Sequence, residues 1–205
     1  MPEPTPPLKS PPPLSFTFDE SVSGWNVPGP QWLKANDKTW DAVASGALVF
    51  DAQGRVLLIQ RAASDSMPNR WEIPGGAVDP EDASVLYGCA RELWEETGLV
   101  LRHIRRVVPD GIDGRPGAVF TNRTGQRFYC KFSFEVDVAE GQDVRLDPNE
   151  HQDFVWATEE MVTKQAVGER KIPLTNSIMV NLLRKAFEMR RSGEGNKVED
   201  VAREP

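Results

Sequence analysis

Two cysteines, two histidines and two tyrosines are a thin supply of reactive side chains for 205 residues. Cys89 and Cys130 fall on apolar faces of predicted elements, which points to buried thiols, with a disulfide as the alternative. No apolar run reaches the 18 residues a membrane-spanning helix needs, and the first residues lack the apolar centre of a secretion signal. A cytoplasmic protein with reduced thiols is expected, so the sequon at Asn122, Arg123 and Thr124 carries no weight. A basic surplus is also missing: 24 Lys and Arg face 31 Asp and Glu, a formal net charge of −7. Without a basic stripe a nucleic-acid duplex is not an expected partner, and without an apolar span neither is a membrane. A small phosphorylated substrate stays compatible, its charge met by metal and a few local Arg and Lys. What is present is a 39% hydrophobic fraction with six Trp, enough for one folded domain with extensions.

Residues 1–13 form a proline-rich leader, read as disordered, although a partner that reads Pro-x-x-Pro spacing is the alternative. Residues 14–41 carry Phe16, Phe18, Trp25, Trp32 and Trp40, too many aromatics for a free linker. They are expected to pack on the domain without a long helix, interrupted by Pro28 and Pro30. The pattern then predicts a strand over 43–50, a turn over 51–54 and a strand over 55–61 in a hairpin with the first. Short strands are expected at 71–73 and 154–156, another at 101–108, and a loop over 109–127 with a short arm around 118–121. Residues 127–138 alternate most clearly: Phe128, Cys130, Phe132, Phe134, Val136 and Val138 against Tyr129, Lys131, Ser133, Glu135 and Asp137. Thr158 caps a short helix through Val162. A second amphipathic helix runs from Asn176 to about Arg190, with Ile178, Leu182, Leu183, Ala186 and Phe187 inward. Residues 191–205 are a polar tail.

The chain is organised around residues 71–99. Asp79 followed by Pro80, Glu81 and Asp82 reads as a helix start, and Gly98 as its stop. Leu86, Cys89, Ala90 and Leu93 make an apolar stripe between them. Glu92, Glu95 and Glu96 share an arc beside it, where like charges repel by about 0.2–0.5 kcal/mol per pair. A divalent cation would offset this, and clustered hard oxygens suit Mg²⁺ or Mn²⁺ rather than zinc. The plainer reading is a solvated acidic face on a surface helix.

The string Arg91, Glu92, Leu93, Glu95, Glu96, Gly98 and Leu99, led in by Pro74, Gly75 and Gly76, resembles the Nudix box. That box has the pattern G-x5-E-x7-R-E-U-x-E-E-x-G-U, with U a bulky aliphatic residue. The second half matches at every specified position. The first half is one residue longer, so the early Glu has no counterpart; the nearest acids are Asp82 and Glu81. The resemblance implies an α/β (α+β) fold, a Nudix-type α/β/α sandwich with a mixed sheet over residues 42–190. It also implies metal-dependent hydrolysis of a diphosphate linkage in a nucleoside diphosphate-X substrate: a nucleoside triphosphate, ADP-ribose or another sugar nucleotide. The alternative is a Nudix-fold binding module without turnover. Glu92 and Glu96 are the implied principal ligands of Mg²⁺ or Mn²⁺, with Glu95 completing the set and the Gly76 carbonyl as a further ligand. Arg91 would hold a box carboxylate in position. Gly88 leaves room for phosphate or for a neighbouring loop. Glu150 is the candidate general base, with His151 either a second base or structural. Arg61 is the candidate phosphate contact, and Trp71 or Phe120 the candidate base stacker. Relatives of this family are often homodimers, so segment 14–41 serves either an interface or the cover of a sheet edge.

Overall fold

The computed structural model describes residues 13–111, 114–121 and 124–193. The proline-rich leader up to residue 12, Asn122 of the sequon and the tail beyond Gly193 lie outside the described residues. In chain order the elements begin with β1 (Thr17–Phe18), a 3-10 helix (Glu20–Trp25), α1 (Gly29–Ala35), β2 (Ala42–Val49) and β3 (Val56–Arg61). Then come β4 (Trp71–Glu72), α2 (Val85–Thr97), β5 (Leu101–Val108), β6 (Ala118–Thr121), β7 (Phe128–Val138) and β8 (His151–Ala157). The chain closes with α3 (Glu159–Lys164), β9 (Ala166–Val167), β10 (Arg170–Lys171) and α4 (Ser177–Ser192).

β7, the strand with the longest apolar alternation, is the centre of a mixed sheet of order β1-β5-β7-β2, with β6 also paired to β7. β2 runs parallel to β7 and β5 antiparallel to it. A second, antiparallel sheet has the order β4-β3-β8. Alternation along β3 shows the layering: Leu57 and Ile59 enter a core shared with α2, while Val56 and Leu58 enter one shared with α3 and α4. Sheets therefore lie between helices on both faces, an α/β/α sandwich.

The β2–β3 hairpin is not formed. Asp51 makes the turn, its Oδ1 accepting from the Gln53 and Arg55 amides, but only one isolated bridge, Phe50 to Val56, joins the two strands. β2 instead pairs with β7, because its residues are buried from Val43 to Val49 and need partners on both faces. The start of α2 also differs. Ser84 is the N-cap, its Oγ accepting from the Tyr87 amide at 3.0 Å, and residues 79–83 are loop. Pro30 opens α1 rather than breaking the segment, as expected of proline in a first turn. Ile178 lies exposed at the start of α4. In segment 14–41, Val22, Trp32 and Leu33 are buried, and Trp25 and Trp32 meet the Phe132 ring edge-on at 5.4 and 4.7 Å. β1 lies parallel along β5 and covers that edge.

Candidate active site

Residues 74–78 leave β4 and run beside β2, where Ala47, Ser45 and Val43 exchange backbone hydrogen bonds with Pro74, Gly76 and Val78. Gly75 holds φ at +146°, and a Cβ there would sit 2.2 Å from the Ser45 carbonyl oxygen. This close passage turns the Gly75 amide to Glu96, donating to Oε2 at 2.7 Å. A Cβ on Gly76 would fall 2.6 Å from Glu92 Oε2. The two glycines thus bring bare backbone against two carboxylates of α2, and the Gly76 carbonyl already accepts from the Ser45 amide at 2.9 Å.

Arg91 is the hub of the loop–helix pair. Its Nε and Nη2 donate to the two oxygens of Asp82 at 3.0 and 2.8 Å. Nη1 reaches Glu92 Oε1 at 2.9 Å and Glu95 Oε2 at 2.8 Å, and Nη2 also donates to the Ala77 carbonyl. Asp82, buried, also accepts from the Asp79 amide, so it and not Glu81 is the acid that fixes Arg91. Gly88 makes this fit: a Cβ there would meet Asp82 Oδ2 at 2.9 Å and Val78 Cγ2 at 3.0 Å. The space above Gly88 belongs to the loop, not to phosphate.

Arg91 holds Glu92 Oε1 and Glu95 Oε2, whereas Glu96 Oε2 accepts from the Gly75 amide. Among the described residues, the one group of three acid, histidine or cysteine side chains whose ligand atoms all lie within 4.8 Å of one another is Glu96, Glu150 and His151. Glu96 is 5% exposed. Burial, with the Glu92 and Glu72 carboxylates nearby, pushes it well above the ordinary range against the Gly75 amide and Lys131. Burial pushes Glu92 up to about 7, opposed by Arg91 and reinforced by Glu95 and Glu150. Glu95 is half exposed and Glu150 exposed.

Behind Glu96 lies a chain of groups that sequence reasoning had not joined. Glu72 is buried, and burial alone would raise it, but His151, Lys131 and Arg61 together hold it below its ordinary value. His151 is 2% exposed between two acids, Nε2 at 3.6 Å from Glu72 and Nδ1 at 3.8 Å from Glu96. Lys131, from the polar face of β7, reaches over Gly46, its Nζ 3.3 Å from where a Cβ would stand. Its position in the β7 alternation was readable; that this face turns inward toward the carboxylates was not. A cleft of about 490 Å³ opens beside His151, lined also by Val144, Leu146, Pro148 and Phe154.

Two candidate substrate residues are corrected. Arg61 is not free for phosphate: its guanidinium pairs with Glu72 and Asp65 and donates to the Ser66 carbonyl at 2.6 Å. It anchors Glu72 instead. Trp71 is fully buried in the core under α4, with Arg170 over its ring at 4.9 Å, so no face is open to a base. Phe120 is 40% exposed on the β6–β7 arm, where Tyr129 stacks on one face at 5.5 Å. Both cysteines are buried free thiols, pushed up to about 12 by burial.

The α/β/α sandwich thus sets the Gly75–Gly76 backbone against two largely buried carboxylates of α2, an arrangement suited to a divalent metal. Residues 40–176 match the NUDIX domain, and the chain belongs to the Nudix family. It is 28% identical over 133 residues to the CTP pyrophosphohydrolase of Escherichia coli K12, covering 65% of this chain and 88% of that protein. The fold is similar to that of a Caenorhabditis elegans Ap4A hydrolase, with a TM-score of 0.55, 23% identity and coverage of 75% and 99% of the two chains. A MutT protein from Methanosarcina mazei Go1 gives a TM-score of 0.53 at 24% identity, covering 75% of this chain and 96% of the other. No helix among the described residues is long and apolar enough to cross a membrane.

Proposed function

We propose that the protein hydrolyses the diphosphate linkage of a nucleoside diphosphate-X substrate, with nucleoside triphosphates as the first class and ADP-ribose or another sugar nucleotide next. The observation that carries this is the pair Glu92 and Glu96, crowded against the Gly75–Gly76 backbone and both raised toward protonation. Carboxylates in that state lack positive charge, and a bound Mg²⁺ or Mn²⁺ supplies it, polarising a phosphate oxygen and making bound water more acidic. Glu92 and Glu96 hold the ion, the Gly76 carbonyl offers its second lone pair, and Arg91 keeps Glu92 and Glu95 in place. Glu150, exposed beside Glu96, is the candidate to take a proton from water. Phe120 offers its open face to a base.

A nucleotide substrate is favoured by the likeness to a CTP pyrophosphohydrolase and by the lead-in Glu72, Ile73, Pro74, Gly75, Gly76. The altered first half of the box would favour the binding-module alternative; against it, Asp82 gives Arg91 a buried acid across the insertion. The test is product analysis by chromatography across nucleoside triphosphates, ADP-ribose, sugar nucleotides and dinucleoside polyphosphates, with Mg²⁺ or Mn²⁺. One preferred substrate, cleaved at a phosphoanhydride, is expected. Folded protein that turns over none of the panel would refute the proposal.

A further inference from the structure

We infer that His151 is a nitrogen ligand of the catalytic metal held at Glu96, and that Glu72 orients it. The inference rests on the reading that Glu96 holds a divalent ion and extends it to a residue outside the box. His151 is 2% exposed, yet neither ring nitrogen has a hydrogen-bond partner. Its distances of 3.6 Å to Glu72 and 3.8 Å to Glu96 exceed hydrogen-bond length, so the ring does not simply bridge two acids. With the proton on Nε2, facing Glu72, the Nδ1 lone pair faces the Glu96 carboxylate. A divalent cation at Glu96 would find a ready nitrogen donor in that buried, unpartnered Nδ1.

The surroundings match how metal-binding histidines are held. Such a histidine donates its other ring N–H to a carboxylate, which fixes tautomer and ring angle, and that carboxylate is itself anchored. Here Arg61 pairs with Glu72, and Glu72 faces Nε2. The backbone is bent to the same end. β8 carries an irregularity opposite Gln60 and Arg61, where Gln60 aligns with Asp153 but Arg61 with His151, leaving Gln152 extra. A bulge of this kind re-aims a side chain, and it turns His151 inward next to exposed Glu150. An imidazole nitrogen in an otherwise oxygen set favours Mn²⁺ over Mg²⁺, which prefers oxygen alone.

The test uses Mn²⁺ alone as the probe on the full chain, with pulsed electron paramagnetic resonance to detect nitrogen bound directly to the ion. Histidine labelled with ¹⁵N in the ring, in a His103→Gln variant, leaves His151 as the sole labelled imidazole; His103 sits apart, paired with Thr17 and Asp19. A directly coordinated ¹⁵N signal is expected there. It should vanish in His151→Gln, and Glu72→Gln should weaken Mn²⁺ binding by about 10- to 100-fold. Should His151→Gln fail to fold, the labelled His103→Gln spectrum decides alone. Mn²⁺ bound with oxygen ligands only would overturn the inference and leave the Glu96 site standing. Folded protein that binds no Mn²⁺ would overturn both.

Discussion

Without divalent metal, the protein should lose stability as pH rises from about 5 to 8. Glu92 moves from an ordinary 4.5 to about 7 in the fold, so between those values the native state holds a proton that the unfolded chain has released. Stability falls with pH wherever the native state binds more protons. At about 1.4 kcal/mol per pH unit, Glu92 alone accounts for a loss of ~3 kcal/mol above pH 7. Glu96 and Asp110, the latter raised to about 6 by burial, act in the same direction. Glu72 does not contribute in this window, because its lowered value matters only below the ordinary carboxylate range. The assay is urea unfolding with a chelator at pH 5 and pH 8, repeated with saturating Mg²⁺ and in Glu92→Gln. The wild type should lose several kcal/mol on going to pH 8, Mg²⁺ should restore it, and Glu92→Gln should flatten the slope. A metal-free stability that stays level or rises with pH, or an unchanged slope in Glu92→Gln, would refute the reasoning.

Gly75→Ala should cost about 2–5 kcal/mol in urea unfolding, because a side chain meets both a positive φ and the Ser45 carbonyl. Gly76→Ala should cost less stability but weaken Mg²⁺ binding in calorimetry, since the new methyl displaces the movable Glu92 carboxylate. Asp82→Ala should destabilise by about 3 kcal/mol, leaving Arg91 with its bidentate partner gone. A companion Glu81→Ala, which removes a solvent-exposed acid, should stay within about 0.5 kcal/mol of wild type. Arg61→Ala should lower stability and metal affinity together, whereas a selective rise in KM would restore it as a phosphate contact.

The box helix was readable because its chemistry is local: Leu86, Cys89, Ala90 and Leu93 at helical spacing, and Gly98 in the left-handed conformation at its end. Its start was not, because Asp79, Pro80 and Glu81 imitate a cap while the real one, Ser84, sits five residues later. The Asp82 carboxylate that made the imitation convincing is spent on Arg91. β7 was legible by alternation, yet its polar face is also buried at Ser133 and Glu135. Ser133 bonds to Asp110, and Glu135 is held by Arg106 and Arg190, so polar residues fill an inner layer. Partners distant in sequence decided the rest. The turn at Asp51 identified two strands but not that β2 would choose β7, whose paired residues lie 87 positions on. Arg61, Trp71 and His151 carry no local sign of their partners in the sequence. Their roles come from Glu72, Arg170 and Glu96, contacts that exist only once β3, β4, β8 and α2 have assembled.

The most direct measurement of the central claim compares wild type with Glu96→Gln for turnover of the preferred nucleotide in Mg²⁺ or Mn²⁺, with circular dichroism and Tm recorded alongside. Glutamine can still accept the Gly75 amide hydrogen bond, so the fold should persist. Losing a metal-held contribution of several kcal/mol predicts a fall in kcat of about 10²–10³-fold. Turnover at the wild-type rate in a folded Glu96→Gln protein would contradict the account.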